Sequence, residues 1–333
     1  MLAGSPVVLT PMSMTSSHDV ARLLGMSRLT HVVDIGANPI EGAPPYRPLL
    51  DAQLCRITGF EPQASALAEL NLRKGANETY FPYAVGDGEA HTLNLCAYSG
   101  WTSTFVPSAD ALEVFSFFKN NARVVDRTRI ETQRLDDLAE VDDIDFLKID
   151  IQGGELAVLV HGREKLKNAV VIQTELQFVN LYEGQPSFGE VDQELRAQGF
   201  IPHAFAALKK WPISPLQFGG DPTQPLNQLL EADVVYVRDF VHPDGMSSDQ
   251  LKHLCLIGHS CLISRVGASR CWSSARRYLR ERSSNISRCS TAGFERVTCS
   301  SQPRGCATPA LAPQVHGQVV CLARTRTFSR PFG

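Results

Sequence analysis

Short apolar runs that end on an acid or a glycine turn, separated by stretches of helical period, constrain this chain more than any other feature. His31-Val-Val-Asp-Ile35 is such a run and leads into Gly36. Apolar runs this short, followed by a turn, read as strands buried on both faces, as parallel strands are. Arg56 to Phe60 is a second strand. Pro62 opens a helix carrying Ala64, Leu67 and Leu70, which closes near Gly75. Glu78 to Val85 reads as a third strand and His91 to Cys96 as an additional one. Asp145 to Ile151 and Ala169 to Glu175 follow, with a short helix from Glu155 to His161 between them. Ser187 and Glu190 have the spacing of a capping box, with Phe188, Val191 and Leu195 as an apolar stripe behind it. Gly199 ends that helix. Ile201 to Phe205 begins another strand, Asp233 to Val237 is the last, and the proline-bearing stretch from Ala206 to Glu231 reads as a loop. The alternation predicts an α/β fold built on a parallel, doubly wound, Rossmann-like sheet.

In such a sheet ligands bind beyond the carboxyl ends of the strands. Here those ends carry Asp34, Gly36 and Asn38, then Glu61, then Gly86 and Asp87, then Asp150, then Glu175. Five acids at five strand ends point to a ligand rather than to a merely structural rim. Asp34-Ile-Gly-Ala-Asn38 is not the dinucleotide fingerprint, because Asn38 stands where a second glycine would be and no Lys or Arg is close by in the sequence to hold a pyrophosphate. Glu61 is placed to accept hydrogen bonds from a ribose diol, and an acid at the end of the first strand suits an amine. A nucleoside bearing an amino acid fits both features better than a nicotinamide dinucleotide does.

Val33-Asp-Ile-Gly-Ala-Asn38, Gly59-Phe-Glu-Pro62, Ala84-Val-Gly-Asp87 and Leu147-Lys-Ile-Asp-Ile-Gln-Gly-Gly-Glu155 occur in that order. Together they resemble the FkbM family of S-adenosylmethionine-dependent methyltransferases, over about Arg28 to Phe205 and on toward Phe240. Tyr182-Glu-Gly-Gln185 resembles the family pattern as well. The resemblance implies a class I methyltransferase fold with S-adenosyl-L-methionine as cofactor, acting on a hydroxyl of a sugar, glycan or natural product. By the same analogy Asp34, Gly36 and Asn38 line the methionine and ribose part of the cofactor, Glu61 holds the ribose hydroxyls, and Gly86 and Asp87 lie near the adenine. Asp150, Glu155 and Lys148 would form the face where the acceptor meets the methyl group. Asp150 is the first choice for a base and Glu175 the second, with His203 in reserve.

Two departures from the family pattern stand out. Pro39-Ile40 replaces the usual second glycine and is followed by the stiff Pro44-Pro45-Tyr46-Arg47-Pro48. Gln152 replaces a common glutamate, and an amide cannot act as a base. The competing expectations are a non-catalytic binding protein of methyltransferase fold and an NAD-dependent oxidoreductase, the latter disfavoured by the missing glycines.

Charge divides the chain. The formal net charge is −3, yet Arg265 to Gly333 holds twelve Arg, no Lys and two Glu, together with five of the nine cysteines. This tail lacks an apolar period and is expected to be a disordered extension rather than a nucleic-acid-binding arm. The expected organisation is a lead-in over 1–27, a methyltransferase domain over 28–240, a terminal helix over 241–264 and the tail over 265–333. His253, Cys255, His259 and Cys261 fall on that terminal helix, where only Cys255 and His259 share a face, so no metal site is expected. Neither a secretory signal nor a membrane span is evident, and the expected setting is cytoplasmic with a small-molecule or glycan acceptor.

Overall fold

The computed structural model describes residues 16–262, apart from 218 and 222. The arginine-rich tail lies outside the described residues.

Seven strands form the main sheet: β1 (Thr30–Ile35), β2 (Cys55–Phe60), β3 (Glu78–Phe81), β7 (Phe146–Ile149), β8 (Val171–Gln177), β9 (Phe200–Lys210) and β10 (Leu229–Arg238). Between β3 and β7 a second sheet is made from β4 (Ala84–Gly86), β5 (Ala90–Cys96) and β6 (Val124–Arg134). The order in the main sheet is β3-β2-β1-β7-β8-β10-β9. The strand order therefore reverses between β1 and β7, and ligand crevices form at such a reversal. β1 and β7 pair in parallel with Asp34 opposite Lys148, which sets an acid and a base side by side at the reversal.

Period-two alternation divides the sheet's side chains between two cores. Val33 and Ile35 of β1, with Leu147 and Ile149 of β7, face one core. That core is covered by α5 (Glu155–Val160), α6 (Phe188–Ala197) and the segment from Leu135 to Ile144. Val32 and Phe146 face the other core, which is covered by α1 (Ser17–Leu24), α2 (Arg47–Asp51) and α7 (Ser248–Ser260). Two further helices, α3 (Ala64–Arg73) and α4 (Ala109–Val114), flank β3 and the second sheet's loops. The capping box expected at Ser187 forms, with Glu190 accepting from the Ser187 backbone at 2.8 Å.

Four expectations are corrected. The sheet is mixed rather than parallel, because β10 runs antiparallel to both β8 and β9. The expected strand from Glu78 to Val85 is broken around Pro82, and its second half pairs with β6 instead. β6 is absent from the sequence reading because it is exposed along most of both faces and so carries no apolar alternation. The predicted loop from Ala206 to Glu231 is shorter than expected: β9 runs on to Lys210 and β10 starts at Leu229, joined across the pair by Lys209 and Glu231 at 2.6 Å.

His253 is fully buried and its Nδ1 lies 3.0 Å from Thr30 Oγ1, so it belongs to the core under α7. No group of three His, Cys, Asp or Glu suited to a metal ion occurs among the described residues. Among the same residues, no helix is long and apolar enough to cross a membrane.

Candidate active site

A cavity of about 610 Å³ opens at the carboxyl ends of β1, β2, β7 and β8. Asp34, Gly36, Asn38, Glu61, Gly86 and Asp87 all line it. So do Lys148, Asp150 and Glu175.

Gly36 leaves β1 at φ +76°, and a Cβ there would stand 1.9 Å from the Asp150 carbonyl oxygen. The glycine is thus what allows the β1 turn to lie against the end of β7. Asp34 is 3% exposed. The Tyr46 hydroxyl donates to its Oδ2 at 2.6 Å, and Lys148 Nζ stands 3.2 Å from Oδ1 while donating to the Gly36 carbonyl at 2.9 Å. Despite the nearby ammonium, Asp34 Oδ1 has no hydrogen bond of good geometry. A buried carboxylate oxygen left in that state on a cavity wall fits a ligand that brings its own donor.

Glu61 is buried just beyond β2 and accepts from the Gln63 backbone at 2.7 Å. Burial raises its pKa to about 7, against the opposing effects of the Gln63 bond and of Lys148. An acid so desolvated gains from hydroxyl donors, which favour its charged form. Asp87, beyond β4, is the opposite case. Burial works against its charge, yet bonds from His91, the Glu89 backbone and Thr132 bring its pKa down to about 2. An acceptor set of this kind, with one carboxylate seeking donors on each of two adjacent strands, fits a ribose diol and an α-amino group.

Beyond the β1–β7 pair, Asp150 and Glu175 are bridged. Gln152 Nε2 donates to Asp150 Oδ1 at 2.9 Å and to Glu175 Oε2 at 2.6 Å. Glu175 lies within β8 rather than at its end, since the strand continues to Gln177, and it also faces Lys209 at 3.2 Å. Burial, the foremost cause, and the charges of Asp150, Glu231 and Asp233 raise its pKa well above the carboxylate range, while Lys209 opposes them.

Glu155 and His203 stand apart from this assembly and are not on the cavity wall. The Glu155 carboxylate turns back on the chain and accepts from the Ile151 and Gly153 backbone at 3.1 and 3.0 Å. It therefore holds the turn that carries Gln152. His203 sits near the start of β9, and the strand runs seven residues further before reaching the carboxyl-end rim. The histidine on the wall is instead His91 of β5, which was invisible from sequence because its strand belongs to the second sheet.

Tyr46 and Asp233 were also missed, and Tyr182, noted only as part of the family pattern, turns out to hydrogen-bond Gln152. Tyr46 is hidden in a proline-rich stretch that reads only as stiff chain, although Pro48 just inside α2 is an ordinary helix-start signal. The loop around Trp101 reaches the site through Ser99, Gly100, Thr102 and Ser103 on the wall, while the indole itself packs on Phe118 and Tyr182. The Pro39–Glu41 turn leaves Ile40 on the wall beside Gly100, so the departure from a second glycine narrows the cavity from that side.

No curated protein sequence matches the chain. Solved structures give loose likenesses. One is the magnesium protoporphyrin IX methyltransferase of Synechocystis PCC 6803 with bound SAM, at 13% identity over 66% of this chain and 76% of that one, with a TM-score of 0.33. Another is the precorrin-6y C5,15-methyltransferase of Geobacter metallireducens GS-15, at 14% identity over 69% and 93%, with a TM-score of 0.32. A third is M. jannaschii TYW2 in complex with AdoMet, at 14% identity over 69% and 78%, with a TM-score of 0.29. The assignment rests on a different finding, the family model described as the methyltransferase FkbM domain, which matches residues 34–202 from the last turn of β1 into β9. That match takes in half of the sequence and every one of the four motifs from the Asp34 turn to the Gln152 turn, and the chain belongs to the FkbM methyltransferase family.

Proposed function

We propose that this chain is an S-adenosylmethionine-dependent O-methyltransferase whose acceptor is a hydroxyl of a sugar, a glycan or a natural product. The observation that carries the reading is the pair of buried acids, Asp34 and Glu61, on adjacent strand ends of one cavity, with Asp34 Oδ1 lacking a hydrogen bond and Glu61 pushed up in pKa by burial. Bound S-adenosylmethionine supplies an electrophilic methyl group on a sulfonium. Glu61 accepts from the ribose hydroxyls and Asp34 from a donor at the amino-acid end, while Gly36 and Asn38 line that end closely. Gly86 and Asp87 border the adenine side.

For an alcohol acceptor the protein must align the oxygen with the methyl group and take up a proton. Asp150 is the proposed base, because it is on the wall and only partly buried. Glu175, behind it, has its pKa raised well above the carboxylate range by burial and neighbouring acids, and acts as its partner. Lys148 serves the cofactor side, fixing the Gly36 carbonyl and Asp34.

Calorimetric titration of S-adenosylhomocysteine into the purified chain, beside Asp34→Ala and Glu61→Ala, tests the reading. The expected result is binding by the wild type and its loss in both folded variants. A well-folded wild type that binds nothing would sink the proposal.

A further inference from the structure

The turn after β7 is held with unusual care. Gln152 has φ +59°, one of two non-glycine residues among those described with a positive φ, a backbone that L side chains rarely adopt. Three contacts keep it there. Glu155 binds the backbone N–H groups of Ile151 and Gly153 on either side, and Ser103 Oγ donates to the Gln152 carbonyl at 2.6 Å. The side chain is fixed in its turn by Tyr182, whose hydroxyl donates to Gln152 Oε1 at 3.0 Å. The two carboxyl groups select the amide orientation, because the reverse one would aim the amide oxygen at both, and the Tyr182 hydroxyl, which also lies 3.3 Å from the Trp101 carbonyl, then meets Oε1 as a donor. What results is a single NH₂ with one hydrogen for Asp150 Oδ1 and one for Glu175 Oε2. Among the described residues this is the one side-chain hydrogen bond that Asp150 receives.

We propose that Gln152 is the positioning residue of the acceptor end: its amide, set by Tyr182, clamps Asp150 and Glu175 into one unit and fixes the direction in which Asp150 meets the acceptor. The proposal deepens the methyltransferase reading and rests on it for the word acceptor. A base must be held within a fraction of an ångström to be useful, and while the Asp150 backbone is fixed by the Ile35 carbonyl, its carboxylate is held by the Gln152 amide. The clamp also decides how the pair carries protons. Glu175 faces Asp150 from the end of β7, Lys209 from β9, and Glu231 and Asp233 from β10, so three acids gather around it with Lys209 as the opposing cation, while Lys148 of β7 acts on Asp233. Two donors from a neutral amide favour the charged forms of both carboxyls without adding a charge. A glutamate at the same position would remove both donors and bring a further acid into the cluster.

The test compares Gln152→Asn, Gln152→Glu and Tyr182→Phe with the wild type. Asparagine tolerates the left-handed backbone but is too short to reach both acids, so it breaks the clamp without straining the turn. Glutamate keeps the reach and loses the donors, and phenylalanine removes only the anchor. Carboxyl ¹³C resonances of Asp150 and Glu175, assigned with Asp150→Asn and Glu175→Gln, are followed against pH, and S-adenosylhomocysteine affinity is measured alongside. Expected are upward shifts of the pair's apparent midpoints by about one pH unit in Gln152→Asn, larger ones in Gln152→Glu and smaller ones in Tyr182→Phe. Cofactor-product affinity should stay within about threefold of wild type in each, since Asp34 and Glu61 are untouched. Midpoints that do not move in a folded Gln152→Asn overturn the proposal, as does a tenfold loss of S-adenosylhomocysteine affinity, which would move Gln152 to the cofactor side. A wild type that binds no S-adenosylhomocysteine ends the methyltransferase reading instead, and the carboxyl titration still decides whether the clamp exists.

Discussion

Glu61 turns cofactor binding into a pH-dependent event. Its folded pKa, pushed up to about 7 chiefly by burial, exceeds the unfolded value. In the free chain its favourable contribution to folding is therefore complete below the unfolded pKa and is lost as pH rises through about 7. Ribose hydroxyls reverse this preference, because they need the charged acceptor. S-adenosylhomocysteine affinity should rise between pH 6 and 8, roughly tenfold per unit at most, and Glu61→Gln should weaken binding and flatten the profile. Calorimetry across that range decides it, and an affinity that falls with pH would remove Glu61 from the ribose. At Gly36 the constraint is steric. Gly36→Ala sets a methyl group 1.9 Å from the Asp150 carbonyl and strains a φ of +76°, so a loss on the order of 3 kcal/mol is expected in chemical denaturation.

Elements divide into those that build the site and those that only support the sheet. α6 is of the second kind. Its Ser187–Glu190 box satisfies two backbone donors at the helix start, far from the cofactor acids in the chain. Ser187→Ala should lower stability by about 1 kcal/mol and leave S-adenosylhomocysteine affinity unchanged. The turn from Ile151 to Gly153 is of the first kind, since the Glu155 carboxylate shapes the backbone that presents Gln152. Glu155→Ala removes buried charge-assisted bonds worth about 2 kcal/mol in all, and should disturb Asp150 and Glu175 as well as stability. Parallel measurement of melting and carboxyl titration separates the two classes of element.

For the molecule as a whole, the terminal helix is part of the core. Leu251, Leu254, Leu256 and Ile257 of α7 are buried with Val32, Phe146 and Val237 of the sheet, each contributing on the order of 2 kcal/mol. Arg28 ties the two ends of the described chain together, pairing with Asp145 at 2.6 Å and with Asp249 of α7 at 2.7 Å. We therefore expect that a chain cut after Phe240 will not fold, although the expected methyltransferase domain ends there. A chain cut after Ser264 should bind S-adenosylhomocysteine as the full chain does, which tests the proposal that 265–333 is a separate extension. Limited proteolysis followed by calorimetry on the product would decide both.

The sequence by itself determined the strand-and-helix alternation, the acids at the strand ends and the family. Those follow from local patterns: apolar runs of strand length at β1, β2, β7 and β8, and glycine where a turn must pass another strand. It did not reveal β6, whose exposed faces bury too little to leave a pattern, nor the antiparallel setting of β10, because strand direction is a property of the connection and not of the strand. Tertiary structure alone brought Tyr46 to Asp34, Tyr182 to Gln152 and Glu155 into its own turn. It likewise replaced His203 with His91 on the wall. Local pattern identifies what a residue is exposed to on its own element. Which groups then meet depends on contacts between segments distant in sequence, and those are fixed only when the sheet closes around its two cores.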